Sequence, residues 1–271
     1  MTWRGAPPVT RAFLGLAVAI CGVRLLLIRQ YCLIIAVAAA VPLHDHFFPA
    51  LLRQPALLAA AFFAPLWTEV QALLRPTAGR MKRHAVAVTL SAGVLLVHQA
   101  SYFFATWIVV FWAGLFLAWL AWSGTVDPEG AGRKGPFLAQ LLTAFWFLGG
   151  AAGKWTAGYW AGEPFYDLFF AHHPYAVYAL LRTWLDPDTL RVVATWFSRG
   201  VVVVETAMAG VAFVPARVAS TVSIAVALGM WLSTGDLYDV AGPVIGTALA
   251  ARILAAAARP EIAGRPERWV W

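Results

Sequence analysis

Long apolar runs, each about the length of a membrane-spanning helix, recur along most of this chain. About 20 apolar residues in a helix cross the roughly 30 Å hydrocarbon core of a bilayer. About eight such runs are found, at residues 12–41, 56–74, 84–103, 106–123, 137–153, 190–213, 218–234 and 240–257. The 271 residues are 61% hydrophobic and 12% charged, which leaves too few polar groups to cover a soluble globule. We therefore expect an all-α, polytopic transmembrane helical bundle that forms one integral membrane domain over residues 1–271.

Two stretches need a decision about where helices end. The first run follows Arg4 and Arg11 like a signal peptide, but its apolar character resumes after Arg29, which favours a retained first helix, either long or broken. Residues 84–123 are continuously apolar and would make a helix of about 60 Å, twice the hydrocarbon thickness. The chain must turn back within them, and the polar residues mark the turn: Gln99, Ser101, Tyr102 and Thr106.

Basic residues between the runs predict the orientation. With a cytoplasmic N-terminus, the outer segments hold only Arg53, Lys154, Arg182 and Arg191. The inner segments collect Arg4, Arg11, Arg75, Arg80, Lys82, Arg83, Arg133, Lys134, Arg217, Arg259, Arg265 and Arg268. This asymmetry follows the positive-inside rule and predicts an even number of spans with cytoplasmic N- and C-termini. We expect a multi-pass protein of a bacterial-type inner (cytoplasmic) membrane. It also explains the net charge of +7 without a nucleic-acid partner.

The outer loop, residues 154–189, is the one sizeable segment between spans. It contains two glycines, three prolines and many aromatic side chains. This composition predicts short helices that lie on the membrane surface.

Lys154 ends an apolar, glycine-rich run and precedes a cluster of aromatic residues. Water is scarce at such a position, which disfavours a charged ammonium and suits a lysine that acts as a base. The alternative is a lysine that reaches the headgroups, with Trp155, Tyr159 and Trp160 as an interfacial aromatic belt. Both interpretations remain open from this stretch alone.

Glu205 lies near the middle of the 190–213 run, where an ionised acid is costly unless it is paired. Arg199 is the nearest cation, but six residues turn a helix by about 240°, so the two point to different faces. Glu205 is therefore expected to meet another helix. His98 lies at the same predicted membrane level as Lys154, so the two side chains are candidates for one cavity.

No metal site is predicted. Cys21 and Cys32 lie in apolar surroundings and are expected to pack as small hydrophobic residues. The adjacent His172 and His173 are weak evidence for a metal. Glu69 is expected to reach headgroup water near the end of its run.

The order of several features resembles a known membrane family. His98 and Tyr102 come first, and an aspartate, Asp127, follows in the next loop. A GxxGK sequence (Gly150, Gly153 and Lys154) is then followed by WxG (Trp160 and Gly162). The last features are an intramembrane acid, Glu205, and an arginine, Arg217, at the end of its helix. Together they are similar to the horizontally transferred transmembrane (HTTM) domain, over about residues 85–235. That domain is the membrane half of vitamin K-dependent gamma-glutamyl carboxylase and is distantly similar to DoxX-type proteins.

The resemblance implies that Lys154 is a base toward a quinone or vitamin K-type hydroquinone and that His98 shares its active site. Two departures weaken the likeness to a carboxylase. The family's histidine after the arginine is absent, since residues 226–233 read VALGMWLS, and the 271 residues contain no lumenal peptide-binding domain. Glutamate carboxylation is therefore not expected, whereas quinone binding is.

The leading hypothesis is a protein that binds a quinone, quinol or similar lipid in an outer-leaflet cavity between the third, fifth and sixth predicted helices. Its catalytic candidates are Lys154 and His98, and its ligand-binding candidates are Tyr102, Trp155, Tyr159, Trp160, Arg199 and Glu205. Whether it turns over a substrate is left open. The alternative is a non-catalytic accessory subunit that packs against partner membrane subunits. A transporter is less favoured, because the sequence has no pair of broken helices.

Overall fold

The computed structural model describes residues 5–37, 51, 54–98, 104–235 and 237–258. These residues form helices joined by short turns, and none of them lies in a β-strand. The long helices are α1 (Pro8–Leu26), α3 (Pro55–Leu74), α4 (Ala78–Val97), α5 (Phe104–Val126), α6 (Pro128–Ala152), α10 (Pro187–Met208), α11 (Ala216–Thr234) and α12 (Tyr238–Ala257). The predicted all-α polytopic bundle is confirmed.

Seven of the helices in the described part of the chain are long and apolar enough to cross a membrane. The chain is therefore a multi-pass integral membrane protein. The helix outside this set is α4, which matches the predicted run at 84–103 and has similar length, but it carries Arg80, Lys82 and Arg83 in its first two turns. It packs between α3 and α5. The orientation of the bundle and the identity of the membrane stay predictions.

The predicted helix boundaries can be checked at two places. The first run is broken, because α1 ends at Leu26 and a shorter helix, α2 (Ile28–Val37), follows it. The predicted turn within 84–123 is confirmed, since α4 ends at Val97 and α5 begins at Phe104. Gln99, Ser101 and Tyr102, which were predicted to mark that turn, lie outside the described residues.

Small residues bring α12 close to α1. A Cβ atom added to Gly242 would lie 2.8 Å from a Val23 side-chain atom, and one added to Gly246 would lie 2.6 Å from the Ala19 Cβ. The two glycines are four residues apart on one face of α12, a spacing that lets membrane helices approach closely. This contact places α12 beside α1, α5 and α6 in the core.

The outer loop folds into short helical segments, as predicted. They are α7 (Ala157–Ala161), α8 (Glu163–Phe165), a π-helical turn (Tyr166–Ala171) and α9 (Ala176–Trp184). Gly162 joins the first two with a φ of +87°, and a Cβ there would lie 2.5 Å from the Thr195 Cα on α10. The loop is thus seated on α10, where Phe170, Tyr178 and Leu190 form a small core.

Candidate functional site

Lys154 follows directly on the end of α6. The helix ends at Ala152, and the Lys154 backbone N–H donates to the Ala151 carbonyl. A cationic side chain at this position is favoured because the unpaired carbonyls of a helix C-terminus carry partial negative charge. The Lys154 side chain leaves the end of α6 and reaches α10.

Lys154 and Glu205 form an ion pair. Lys154 Nζ donates to Glu205 Oε1 at 2.5 Å and to Oε2 at 2.7 Å. The glutamate side chain is 4% exposed and the lysine side chain 23%, so the lysine supplies the partner for a charge with almost no access to solvent. The expectation that Glu205 pairs with another element and not with Arg199 is confirmed. In this arrangement Lys154 Nζ is a hydrogen-bond donor to both carboxylate oxygens.

Gly150, one turn before Lys154 on α6, makes room for this pair. A Cβ atom at Gly150 would lie 3.2 Å from Glu205 Oε2, closer than most carbon contacts. A Cβ at the neighbouring Gly149 would meet no atom within 4 Å. The carboxylate therefore lies directly against the α6 backbone, and the absence of a side chain at position 150 is part of the site.

A cavity of about 670 Å³ opens beside the ion pair. Its walls come from α5, α6, α11 and α12, and they are apolar apart from the charged pair at one edge. The lining residues are Ala105, Ile108, Val109, Trp112, Leu142, Phe145, Trp146, Phe147, Gly149, Gly150, Lys154, Glu205, Ala227, Met230, Leu237, Val240, Ala241 and Val244. Of the three helices predicted to form a cavity, the fifth (α6) and sixth (α10) contribute, whereas the third (α4) does not.

Trp146 lines the cavity and also holds an unsatisfied polar atom. Its indole Nε1 is buried and has no hydrogen-bond partner among the described residues. Buried N–H groups are usually hydrogen-bonded, because an unsatisfied donor costs about 1–3 kcal/mol. Because this nitrogen has almost no accessible surface, it does not face the open cavity, and it stays an unsatisfied donor within the packed helices that the structure describes.

His98 is buried and does not line the cavity. It follows the last residue of α4, is 1% exposed, and its Nε2 has no hydrogen-bond partner in the described part of the chain. It is not among the residues that line the cavity. The structure thus brings Lys154 together with Glu205 at the cavity, and not with His98. Tyr102, the other candidate from this region, is outside the described residues.

The remaining candidates pack outside the cavity. The Trp155 and Trp160 rings stack with centroids 5.4 Å apart, and Trp155 Nε1 donates to Thr206 Oγ1 at 3.0 Å. The Arg199 guanidinium lies 5.3 Å from the centroids of both the Trp160 and Trp196 rings, and its Nε donates to the Trp160 carbonyl. Tyr159 makes an edge contact with the Phe165 ring. None of these four candidates lines the cavity, and they attach the outer loop to α10.

Sequence reasoning missed a second polar cluster, between α1, α3 and α4. Cys21, Glu69 and His84 are all buried and lie together, and Arg24 is fully buried beside them. The expectation that Glu69 reaches headgroup water is wrong, because Glu69 is 5% exposed and contacts Cys21 and His84. The sequence did offer one signal for this cluster. Glu69 and His84 lie at similar distances on either side of the α3–α4 turn, which places them at the same level of two neighbouring helices. The expectation that both cysteines pack as small hydrophobic residues is not met, because Cys21 is buried against the Glu69 carboxylate and Cys32 is exposed.

Comparison of the chain with protein-family models, with curated proteins and with solved structures found no match. Any function is therefore argued from the site itself.

Proposed function

We propose that this integral membrane protein binds a quinone, a quinol or a lipid with a similar polar ring in the cavity beside Lys154 and Glu205. The observation that carries the proposal is an apolar cavity of about 670 Å³ whose edge holds an ion pair between a buried carboxylate and a partly exposed ammonium. Ligand pockets in proteins typically measure about 300–1,000 Å³ and are mostly apolar with a few placed polar groups. A ring with part of an isoprenoid tail has a suitable size and polarity.

The ion pair supplies the polar end of the site. Lys154 Nζ donates one hydrogen bond to each of the two Glu205 oxygens. Its third ammonium proton is available to a ligand carbonyl. Aromatic walls from Trp112, Phe145 and Phe147 offer faces on which a ring stacks.

The same pair offers a path for a quinol proton. A quinol hydroxyl that reaches the pair donates its proton to the Glu205 carboxylate, and the resulting phenolate is stabilised by the Lys154 ammonium. The HTTM resemblance assigns the base role to Lys154, whereas the geometry favours Glu205 as the first acceptor, because its lone pairs are available. Both assignments keep the two residues in one site.

Quinone binding by the purified protein in detergent tests the proposal, with quenching of the tryptophan fluorescence as the signal. We expect Lys154→Met to weaken binding at least tenfold, because the ligand carbonyl loses its donor and meets an unpaired carboxylate. Ala227→Leu, which places a larger side chain in the lining, should reduce binding and leave the ion pair intact. Lys134→Met is the matched control, since Lys134 is an exposed lysine at the other end of α6.

Wild-type affinity in Lys154→Met, or no quinone binding by the wild-type protein, would contradict the proposal. Partner subunits that copurify with a protein that binds no quinone would support the accessory-subunit alternative in its place.

A further inference from the structure

A cluster of three metal-binding residue types lies within the bundle, apart from the cavity. Cys21 on α1, Glu69 on α3 and His84 on α4 each offer a ligand atom, and these atoms lie within 4.8 Å of one another. All three residues are buried, at 4%, 5% and 0% exposure. α1 thus meets two consecutive helices, α3 and α4, at a point where each of the three supplies a side chain of a metal-binding type.

The spacing of the ligand atoms suits a small ion. Around a tetrahedral Zn²⁺, with bonds of about 2.3 Å to sulfur and 2.0 Å to nitrogen or oxygen, ligand atoms lie roughly 3.3–3.5 Å apart. Cys21 Sγ lies 3.5 Å from Glu69 Oε2, and His84 Nε2 lies 2.8 Å from the same oxygen. An ion between them needs a shift of about half an ångström in the histidine–glutamate distance.

A hydrogen bond at Nδ1 of the His84 ring leaves Nε2 oriented as a metal ligand. Thr68 Oγ1 lies 3.0 Å from His84 Nδ1 and donates its own proton to the Pro65 carbonyl at 3.0 Å. The threonine oxygen is then an acceptor for an Nδ1–H, which leaves the lone pair on Nε2. A hydrogen bond of this kind to the far nitrogen is how metal-binding histidines are usually oriented.

This tautomer leaves two acceptors facing each other. His84 Nε2 and Glu69 Oε2 are 2.8 Å apart, yet Nε2 has no hydrogen-bond partner among the described residues, and Glu69 Oε1 has none either. Two lone pairs at this distance repel each other unless a cation lies close to both. The buried Arg24 adds a positive charge nearby, but the hydrogen bonds of its guanidinium go to the Ala61 and Phe62 carbonyls and to Ser91 Oγ, and none goes to Glu69 or His84.

We propose that Cys21, Glu69 and His84 bind a divalent transition-metal ion of the Zn²⁺ class that links α1, α3 and α4. Sulfur and imidazole ligands favour such an ion over Mg²⁺ or Ca²⁺, which prefer oxygen. Glu69 Oε1 is available as a fourth ligand atom through a bidentate carboxylate. The site lies roughly 8 Å below the α3–α4 turn, since Glu69 is five residues before Leu74.

The test is metal binding by the full-length protein in detergent. After treatment with a chelator, the protein is titrated with Co²⁺, which reports a thiolate ligand by a charge-transfer absorption band, and then with Zn²⁺, which displaces it. We expect about one Co²⁺ per chain, a thiolate band, and a thermal unfolding midpoint that rises when Zn²⁺ is added.

Matched variants separate this site from other cysteines. Cys21→Ser should abolish the thiolate band, whereas Cys32→Ser, which changes the exposed cysteine of α2, should keep it. Thr68→Val should weaken the affinity for Co²⁺ about 10- to 100-fold, because it removes only the group that orients His84.

Absence of Co²⁺ binding by the wild-type protein would overturn the proposal and leave an ion pair between His84 and Glu69. Loss of the band in Cys32→Ser but not in Cys21→Ser would also overturn it. If Cys21→Ser fails to fold, a band that persists in Cys32→Ser still assigns the thiolate to Cys21, because the chain has only these two cysteines.

Discussion

Lys154 Nζ lies 2.5 Å from Glu205 Oε1, although the two residues are 51 positions apart in the chain. The two ends of this ion pair have unequal access to solvent, since the glutamate side chain is 4% exposed and the lysine side chain 23%. If either partner is removed, the carboxylate therefore has less access to water than the ammonium does. This inequality predicts which half of the pair the fold tolerates losing.

Lys154→Met should destabilise the protein more than Glu205→Gln does. The first variant leaves a buried carboxylate without a partner, at a cost of about 3 kcal/mol, whereas the second leaves an ammonium that reaches water, at about 1 kcal/mol. The double variant Lys154→Met/Glu205→Leu should recover most of the loss. Thermal unfolding in detergent measures all three, and equal losses in the two single variants would argue against a buried pair.

The two neighbouring glycines of α6 should respond oppositely to alanine. Gly149→Ala meets no atom within 4 Å and should stabilise the helix by about 0.5–1 kcal/mol. Gly150→Ala places a Cβ 3.2 Å from Glu205 Oε2 and should lose that gain, because the carboxylate must move. The unfolding midpoints of the two variants give the comparison. A gain of the same size in Gly150→Ala would show that the carboxylate is free to shift.

Arg24 should be sensitive even to replacement by lysine. Its fully buried guanidinium donates to the Ala61 and Phe62 carbonyls and lies 4.7 Å from the centroid of the Trp107 ring. An ammonium is not planar and does not reproduce both the carbonyl contacts and the stacking, so Arg24→Lys should cost about 2 kcal/mol. Arg29→Lys, at an exposed position one turn further on, should change stability by less than about 0.5 kcal/mol. A chemical denaturation series distinguishes the two, and similar small effects would contradict the burial of Arg24.

Tyr178 should make stability depend on alkaline pH. Its hydroxyl donates to the Ser233 carbonyl, and burial raises the pKa of Tyr178 from 10.0 to about 12. Since the folded pKa is the higher one, the stabilisation is complete below about pH 10 and is lost as the pH rises toward 12. The loss is at most about 1.4 kcal/mol per pH unit.

Unfolding measured across this pH range checks the expectation, and Tyr178→Phe is the control, because it removes the titrating hydroxyl. A wild-type pH dependence no steeper than that of Tyr178→Phe between pH 10 and 12 would show that this hydroxyl ionises normally.

Features that depend on neighbouring residues in the chain were predictable. The apolar runs predicted the helices to within a few residues at most boundaries, including the turn between α4 and α5, because crossing a bilayer needs a minimum length of apolar helix. The helical repeat also showed that Glu205 and Arg199 point to different faces of their helix. It thus correctly predicted that Glu205 contacts another element.

Features that depend on which helices become neighbours were not predictable. The sequence does not say which cation meets Glu205, and only the tertiary structure selects Lys154 and places His98 away from the cavity lining. The same holds for Cys21, Glu69 and His84, which each seem ordinary on their own helix and meet only after α1, α3 and α4 have packed. The sequence by itself determined that this chain is a bundle of membrane helices, because hydropathy is a local property. The helix partners depend on close approach at residues such as Gly242 and Gly246 and on how each helix is rotated, and these are settled only when the whole bundle packs.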